Sequence, residues 1–249
     1  MSRWKRAAKA AQAVWGSRWG KILLAAAALV LLVAAAEWAS WPDVESLRRT
    51  PPASTAFIDL YRQQRRQAGE SDEVAWQWVP YQRISPHLKR AVLAAEDINF
   101  FGHHGFAREE IKAALKEAWE EWEFPRGAST LTQQLARNLW LSPSRNPLRK
   151  LREAILTRQL EKHLEKKRIF EIYLNVVEFG PGLYGAEAAA RHYFKIPASQ
   201  LDPRQAAQLA AGLPRPKSWN PSSQSRAYAR RVEVVLERMR QAQWLWDVI

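Results

Sequence analysis

The chain of 249 residues has no cysteine, which excludes disulfides and thiolate metal sites but does not fix a compartment. Its five histidines (His87, His103, His104, His163 and His192) show no metal-ligand spacing. There is no glycine-rich nucleotide loop, no serine-nucleophile signature and no internal repeat. Acidic residues are missing from residues 1–21, which carry Arg3, Lys5, Arg6, Lys9, Arg18 and Lys21. A long apolar run is missing too: Ile22 to Ala36 gives fifteen uncharged residues before Glu37. A spanning helix wants about 20, so this one spans only if Lys21 and Glu37 snorkel outward. Trp38 and Trp41 would then anchor its far end at the interface. Ala34-Ala35-Ala36 also offers the small residues of a signal-peptide cleavage site. The long basic region and the tryptophan pair favour an uncleaved anchor. Either way the rest of the chain is exported, and the basic asymmetry puts residue 1 in the cytoplasm and residues from about 42 in the periplasm.

What the chain does have is positive charge, a formal net of +13, and thirteen tryptophans. That charge calls for an anionic partner: nucleic acid, anionic lipid and pyrophosphate all qualify. The length suits one medium domain plus an anchor. Charge thickens between Arg137 and Arg168, where ten Lys/Arg face three Glu. Leu148, Leu151 and Ile155 there predict the buried side of a helix from Pro147 to Leu164. Arg149 and Glu153, four apart, form either a solvated ion pair or part of a cationic bed in which Glu153 projects among Arg137, Arg145, Arg149 and Lys150.

The chain is organised around Ala94 to Gly105. Ser85 as N-cap, Pro86 at N1 and a stripe of Leu88, Val92 and Ala95 predict a helix ending near Asp97, since Gly102 and Gly105 break any continuation. Glu96 and Asp97 thus sit at a helix C-terminus, whose partial negative charge raises a carboxyl pKa. Such a carboxyl suits a general base; the bland alternative is a pair of solvated acids.

Residues 42–83, with Pro42, Pro51, Pro52 and Pro80, read as a linker and approach segment, with a short strand where Val74, Trp76 and Trp78 alternate. The domain proper is expected from Ile84. Ile111, Leu115, Trp119 and Trp122 recur at helical spacing, either as core or as a face dipping into a membrane surface. Thr130 with Gln133 fits a capping box fed by the Gly127-Ala128 turn. Ile169, Ile172, Tyr173 and Val176 continue the helical core, with Glu171 and Asn175 as structural supports. Gly180-Pro181-Gly182 makes a turn, Asp202-Pro203 starts a helix that Gly212 and Pro214 end, and a last amphipathic helix uses Tyr228, Val232, Val235, Leu236 and Met239.

Four ordered segments carry a resemblance. Glu96-Asp97 with Phe100, His103 and Gly105 resembles the first signature motif of the peptidoglycan glycosyltransferases, glycosyltransferase family 51. Arg126 through Gln134, then Arg149-Lys150 with Glu153, then Lys166 through Ile169 with Glu171, Tyr173, Leu174 and Asn175 resemble the later motifs in the right order. Gly127-Ala128-Ser129-Thr130 is similar to the monofunctional biosynthetic branch, which lacks a transpeptidase domain. Arg137 stands where the family commonly has lysine, keeping the charge but altering its geometry.

The resemblance implies a mainly α fold, a lysozyme-like two-lobed helical domain over residues 84–249. Ahead of it would come a basic cytoplasmic tail (1–21), a single transmembrane helix (22–41) and the linker. The implied activity is polymerisation of lipid II into β-1,4-linked glycan at the bacterial inner membrane. Glu96 and Glu153 are the implied catalytic residues. Asp97, Phe100, His103, Ser129, Thr130, Gln133, Gln134, Arg137, Asn138, Arg145, Arg149 and Lys150 are the implied substrate-binding ones. Glu153 also offers a place for a divalent cation, Mg²⁺ or Mn²⁺. The expected partners are lipid II, the growing lipid-linked glycan, the inner membrane, and cell-division or elongation proteins, with no nucleic acid. The rivals are a lytic enzyme with the same helical fold and a basic membrane-tethered scaffold.

Overall fold

The computed structural model describes residues 41–106, 129–141, 143 and 147–249, with Arg18, residues 21–22, 24–29 and Leu32 ahead of them. The chain divides into residues 1–43 and a compact unit from Val44 to Ile249. In the first unit residues 24–29 are helical. Among the described residues no helix is long and apolar enough to cross a membrane, and most of the expected span over 22–41 lies outside them. The stripe of Ile111, Leu115, Trp119 and Trp122 lies outside them as well, as do Arg126–Ala128 and Arg145.

The described part of the second unit is mainly helical. In chain order it runs α1 (Ala56–Gln67), β1 (Ala75–Trp76), α2 (Pro86–Glu96), α3 (Leu131–Trp140), α4 (Pro147–His163), α5 (Lys166–Val176), β2 (Glu178–Gly180), β3 (Leu183–Tyr184), α6 (Ala186–Phe194), α7 (Pro203–Gly212) and α8 (Arg226–Gln241). The three short strands form one sheet in the order β1-β3-β2, with β1 parallel and β2 antiparallel to β3.

Local capping sets most of these starts. The Ser85 hydroxyl accepts the His87 N–H and donates to the Leu201 carbonyl, so one cap also ties α2 to the start of α7. Capping boxes Thr130/Gln133 and Asp202/Gln205 begin α3 and α7, the latter with Pro203 at its first position. The expected one-sided stripe on α2 is exceeded: every residue from Leu88 to Ala94 is buried, Lys89 and Arg90 included. Helix α2 is therefore the central helix, covered by α7 and α8. Its two buried cations lie over aromatic rings, Lys89 over Tyr81 at 3.7 Å and Arg90 over Trp246 at 4.2 Å.

Two expectations change. The segment 42–83, read as a linker, belongs to the compact unit from Val44 onward. It holds α1, which Thr55 caps and whose Ile58 is fully buried, as well as the short strand expected around Trp76, which is β1. Its prolines lie outside α1 and β1, so they do not break them. Helix α4 is turned from its expected face: Leu151 is 59% exposed and Ile155 41%, whereas Glu153, Leu156, Thr157 and Leu160 are buried. Residues 153, 156, 157 and 160 also recur at helical spacing, and this stripe places Glu153 among its cations. Of Leu148 only the backbone is described.

Asn175 on α5 joins the sheet side of the unit to the helices. Its side chain accepts from the Val79 N–H and donates to the Val79 carbonyl, each at 2.9 Å, while its own carbonyl receives the Trp76 indole N–H. The Asn175 carbonyl also explains Gly185, at φ +80°: a Cβ there would stand 2.5 Å from that oxygen. Glu171 supports the same segment by accepting the Tyr81 N–H. Replacing Asn175 by Ala strands both polar groups of Val79 in a buried place. The expected loss is about 2–4 kcal/mol of unfolding free energy, read by denaturant titration.

Candidate active site

The C-terminal end of α2 delivers Glu96 to a cavity of about 400 Å³ that Ser129, Gln134, Arg137 and Asn138 also line. The Glu96 side chain is only 13% exposed. Its Oε2 accepts from the Gln134 amide at 3.1 Å and its Oε1 from the Arg231 guanidinium at 3.2 Å. Burial pushes its carboxyl above the usual range; Gln134 and Arg231 pull it back, and Asp97 adds to the rise. Desolvation is thus the main cause, ahead of the charges and hydrogen bonds around it. The Gln134 amide is itself oriented, because Tyr173 donates its hydroxyl to the other end at 3.0 Å. Gln134 also donates to the Ser129 carbonyl.

Asp97, the next residue, leaves helical geometry and faces elsewhere. It accepts the Leu131 N–H at 2.9 Å, the first of α3, and contacts His103 Nε2 at 3.0 Å. His103 Nδ1 accepts from the Gly105 N–H, so Nε2 carries the proton and donates to Asp97. Thr130 donates to the Gly105 carbonyl and Gln133 completes the cap. Phe100 is fully buried against Phe101 and Phe170, with the Lys166 ammonium 4.3 Å over its ring. Asp97, Phe100, His103, Thr130 and Gln133 therefore build the frame of the site and do not line this cavity.

Cations gather on the other flank. Arg137 lies on α3, Arg149 and Lys150 on α4, and all three converge on Glu153, Arg137 at 3.4 Å and Arg149 at 3.0 Å. Arg137 also donates to the Ser129 hydroxyl, and Asn138 to the Gln134 carbonyl. The Glu153 side chain is 0% exposed, so it lies beneath these cations and does not project into the cavity. With three cationic groups already on its two oxygens, Glu153 does not fit a divalent cation, and among the described residues no group of three His, Asp or Glu forms a metal site. Arg145 lies outside the described residues.

Three contributors escaped the sequence reading. Phe57 of α1, from the segment read as linker, and Glu178 of β2, just before the Gly180-Pro181-Gly182 turn, line the cavity. Arg231 of α8 reaches Glu96 across a sequence separation of 135. A second cavity, about 870 Å³, shares Glu96 and Pro214 with the first and is lined further by Asp97, Arg215, Trp219, Arg231 and Arg238. Only the basic character of α8 hinted at this.

A sequence profile described as transglycosylase matches residues 63–240. The chain belongs to the transglycosylase family. A protein of Methylobacillus flagellatus named biosynthetic peptidoglycan transglycosylase is 47% identical over 192 residues, 77% of this chain and 84% of the relative. Namesakes from Azoarcus sp. and Nitrosomonas eutropha are 46% identical over 208 residues and 40% over 213. The Azoarcus alignment covers 82% of this chain and 88% of the relative, the Nitrosomonas one 85% and 87%. In this transglycosylase the family match takes in the cavity wall from Glu96 to Pro216, and Arg231 of the second cavity, but begins after Phe57.

Glu153→Ala leaves Arg137, Arg149 and Lys150 without their buried counter-charge. It is expected to cost about 3 kcal/mol of stability, measured by thermal or denaturant unfolding.

Proposed function

We propose that this chain is a peptidoglycan glycosyltransferase that polymerises lipid II into β-1,4-linked glycan strands in bacterial cell-wall synthesis, releasing undecaprenyl pyrophosphate. The observation that carries the reading is Glu96 in one cavity with Arg137: a desolvated carboxyl facing a cation across a space of about 400 Å³. The family membership and the relatives' names support it.

In the reaction, ionised Glu96 takes the proton of an acceptor sugar's 4-hydroxyl as that oxygen attacks the anomeric carbon of the donor. The anomeric carbon–oxygen bond breaks on the opposite side, so an α-linked donor becomes a β-linked product. The departing pyrophosphate gathers charge, and Arg137 offsets it together with Arg149 and Lys150, with Arg145 as the further cation that the motif resemblance implies. Ser129, Gln134 and Asn138 position the sugars. Glu153 aligns the cations from below and touches no substrate. Asp97, His103, Thr130 and Gln133 hold the wall to which Glu96 is fixed.

The lysozyme-like two-lobed arrangement, the single inner-membrane span over 22–41, a cytoplasmic N-terminus and a periplasmic catalytic domain belong to the same proposal. The two-lobed arrangement rests on the resemblance of the four motifs to the family, and the span and its orientation rest on the basic tail, the short apolar run and the tryptophan pair. An anchor of that kind confines the enzyme to the plane of its lipid-linked substrate. Cell-division or elongation proteins are the partners this location suggests.

Polymerisation of purified lipid II tests the whole. Glu96→Gln should keep the fold and lower glycan synthesis by several orders of magnitude, and near-normal synthesis would refute the assignment. The pH dependence of kcat/KM follows from the raised carboxyl. Because the base must be ionised, activity rises with pH through the Glu96 pKa, so the acid limb should lie above that of an ordinary glutamate, about 4.3. Arg231→Met removes a group that favours ionisation and should move the limb further up; a downward shift would contradict the geometry.

A further inference from the structure

Glu178 opens β2 and lines the cavity that holds Glu96, Gln134, Arg137 and Asn138. Its Oε1 is buried and has no hydrogen-bond partner within the protein. Among the described residues lining that cavity it is the one acceptor in this condition. Its polar neighbours are committed elsewhere: the Gln134 amide to Glu96 and Ser129, Asn138 to the Gln134 carbonyl, and the Tyr193 hydroxyl to the Phe179 carbonyl. Burial pushes the Glu178 carboxyl above its usual range, with Lys217 acting against the shift. A desolvated, unpaired carboxyl oxygen is unfavourable in the free protein, and a ligand that brings a donor removes the penalty.

The chemistry of the donor follows from the walls. An ammonium ligand would meet Arg137 in the same cavity, and a phosphate would be repelled by Glu178 itself. A neutral donor on a polar ring suits both. We propose that Glu178 is a sugar-binding residue whose carboxyl turns its unpartnered Oε1 toward the cavity and accepts a hydrogen bond from a hydroxyl or acetamido N–H of an N-acetylhexosamine unit held beside Glu96. The inference rests on glycosyl transfer taking place at this cavity, and it adds a contact from β2 to those of α2 and α3.

The full chain in detergent serves for the test, as wild type, Glu178→Met (similar volume, no acceptor) and Glu178→Gln (a neutral acceptor). With lipid II, Glu178→Met should raise KM on the order of tenfold and leave kcat within about threefold, the loss of one hydrogen bond to a carboxylate. Its Tm should equal or exceed that of wild type, because an orphaned buried group has been removed. Glu178→Gln should fall between the two in KM. An unchanged KM, or a lowered Tm with kcat falling as far as kcat/KM, overturns the proposal by showing no contact or a merely structural one. A second measurement titrates a lipid-free, phosphate-free β-1,4-linked tetrasaccharide of alternating N-acetylglucosamine and N-acetylmuramic acid. Binding by wild type that weakens about tenfold in Glu178→Met supports the contact even if lipid II is not polymerised, in which case the transfer reading alone fails. Polymerisation by wild type with equal tetrasaccharide binding by both proteins, or no binding by wild type, sinks the contact and leaves the transfer reading standing.

Discussion

A buried carboxylate that is not the proposed base sets the geometry of the site. Asp97 receives the first N–H of α3 and the His103 ring, so it fastens the end of one helix to the beginning of another. An acid at a helix N-terminus is electrostatically favourable, and here the helix was already capped by Thr130. The joint fixes α3 in rotation as well as position, and Gln134, one turn in, arrives beside Glu96. Two adjacent acids thereby take opposite duties. One is used up as a fastening, and the other keeps its oxygens at the cavity wall.

The rest of the site is a set of polar groups held under tension. Glu96 is desolvated, yet the Gln134 amide and the Arg231 guanidinium keep its ionised form accessible. Tyr173 settles which end of the Gln134 amide points at Glu96. Below the cations, Glu153 cancels part of the repulsion between Arg137, Arg149 and Lys150 and so lets three positive groups share one flank. Arrangements of this kind trade stability for readiness, since groups oriented in advance need not reorganise during reaction. The unpartnered oxygen of Glu178 fits the same pattern.

Reading the sequence alone succeeded where a few neighbouring residues decide the outcome. Ser85-Pro86, Thr130 with Gln133 and Asp202-Pro203 each cap a helix within a single turn, and each cap is present. It failed where two local patterns competed. On α4, Leu151 and Ile155 offered one apolar face, and Leu156 with Leu160 another; the second won because it also buries Glu153 among cations. The segment 42–83 misled for a different reason. Its prolines suggested a linker, whereas the capped α1 between them buries Ile58 and carries Phe57 to the cavity.

Sequence by itself determined the capped starts of α2, α3 and α7, the acidic pair at the end of α2, the basic density of residues 137–168 and the motifs that mark the family. These are matters of local spacing, which the chain carries wherever it folds. Only the tertiary structure decided which acid lines the cavity that holds Arg137, that Glu153 lies beneath its cations, that Arg231, 135 residues away, reaches Glu96, and that Glu178 completes the wall. Burial and ion pairing depend on what distant segments bring to a point, and no spacing along the chain records that distance.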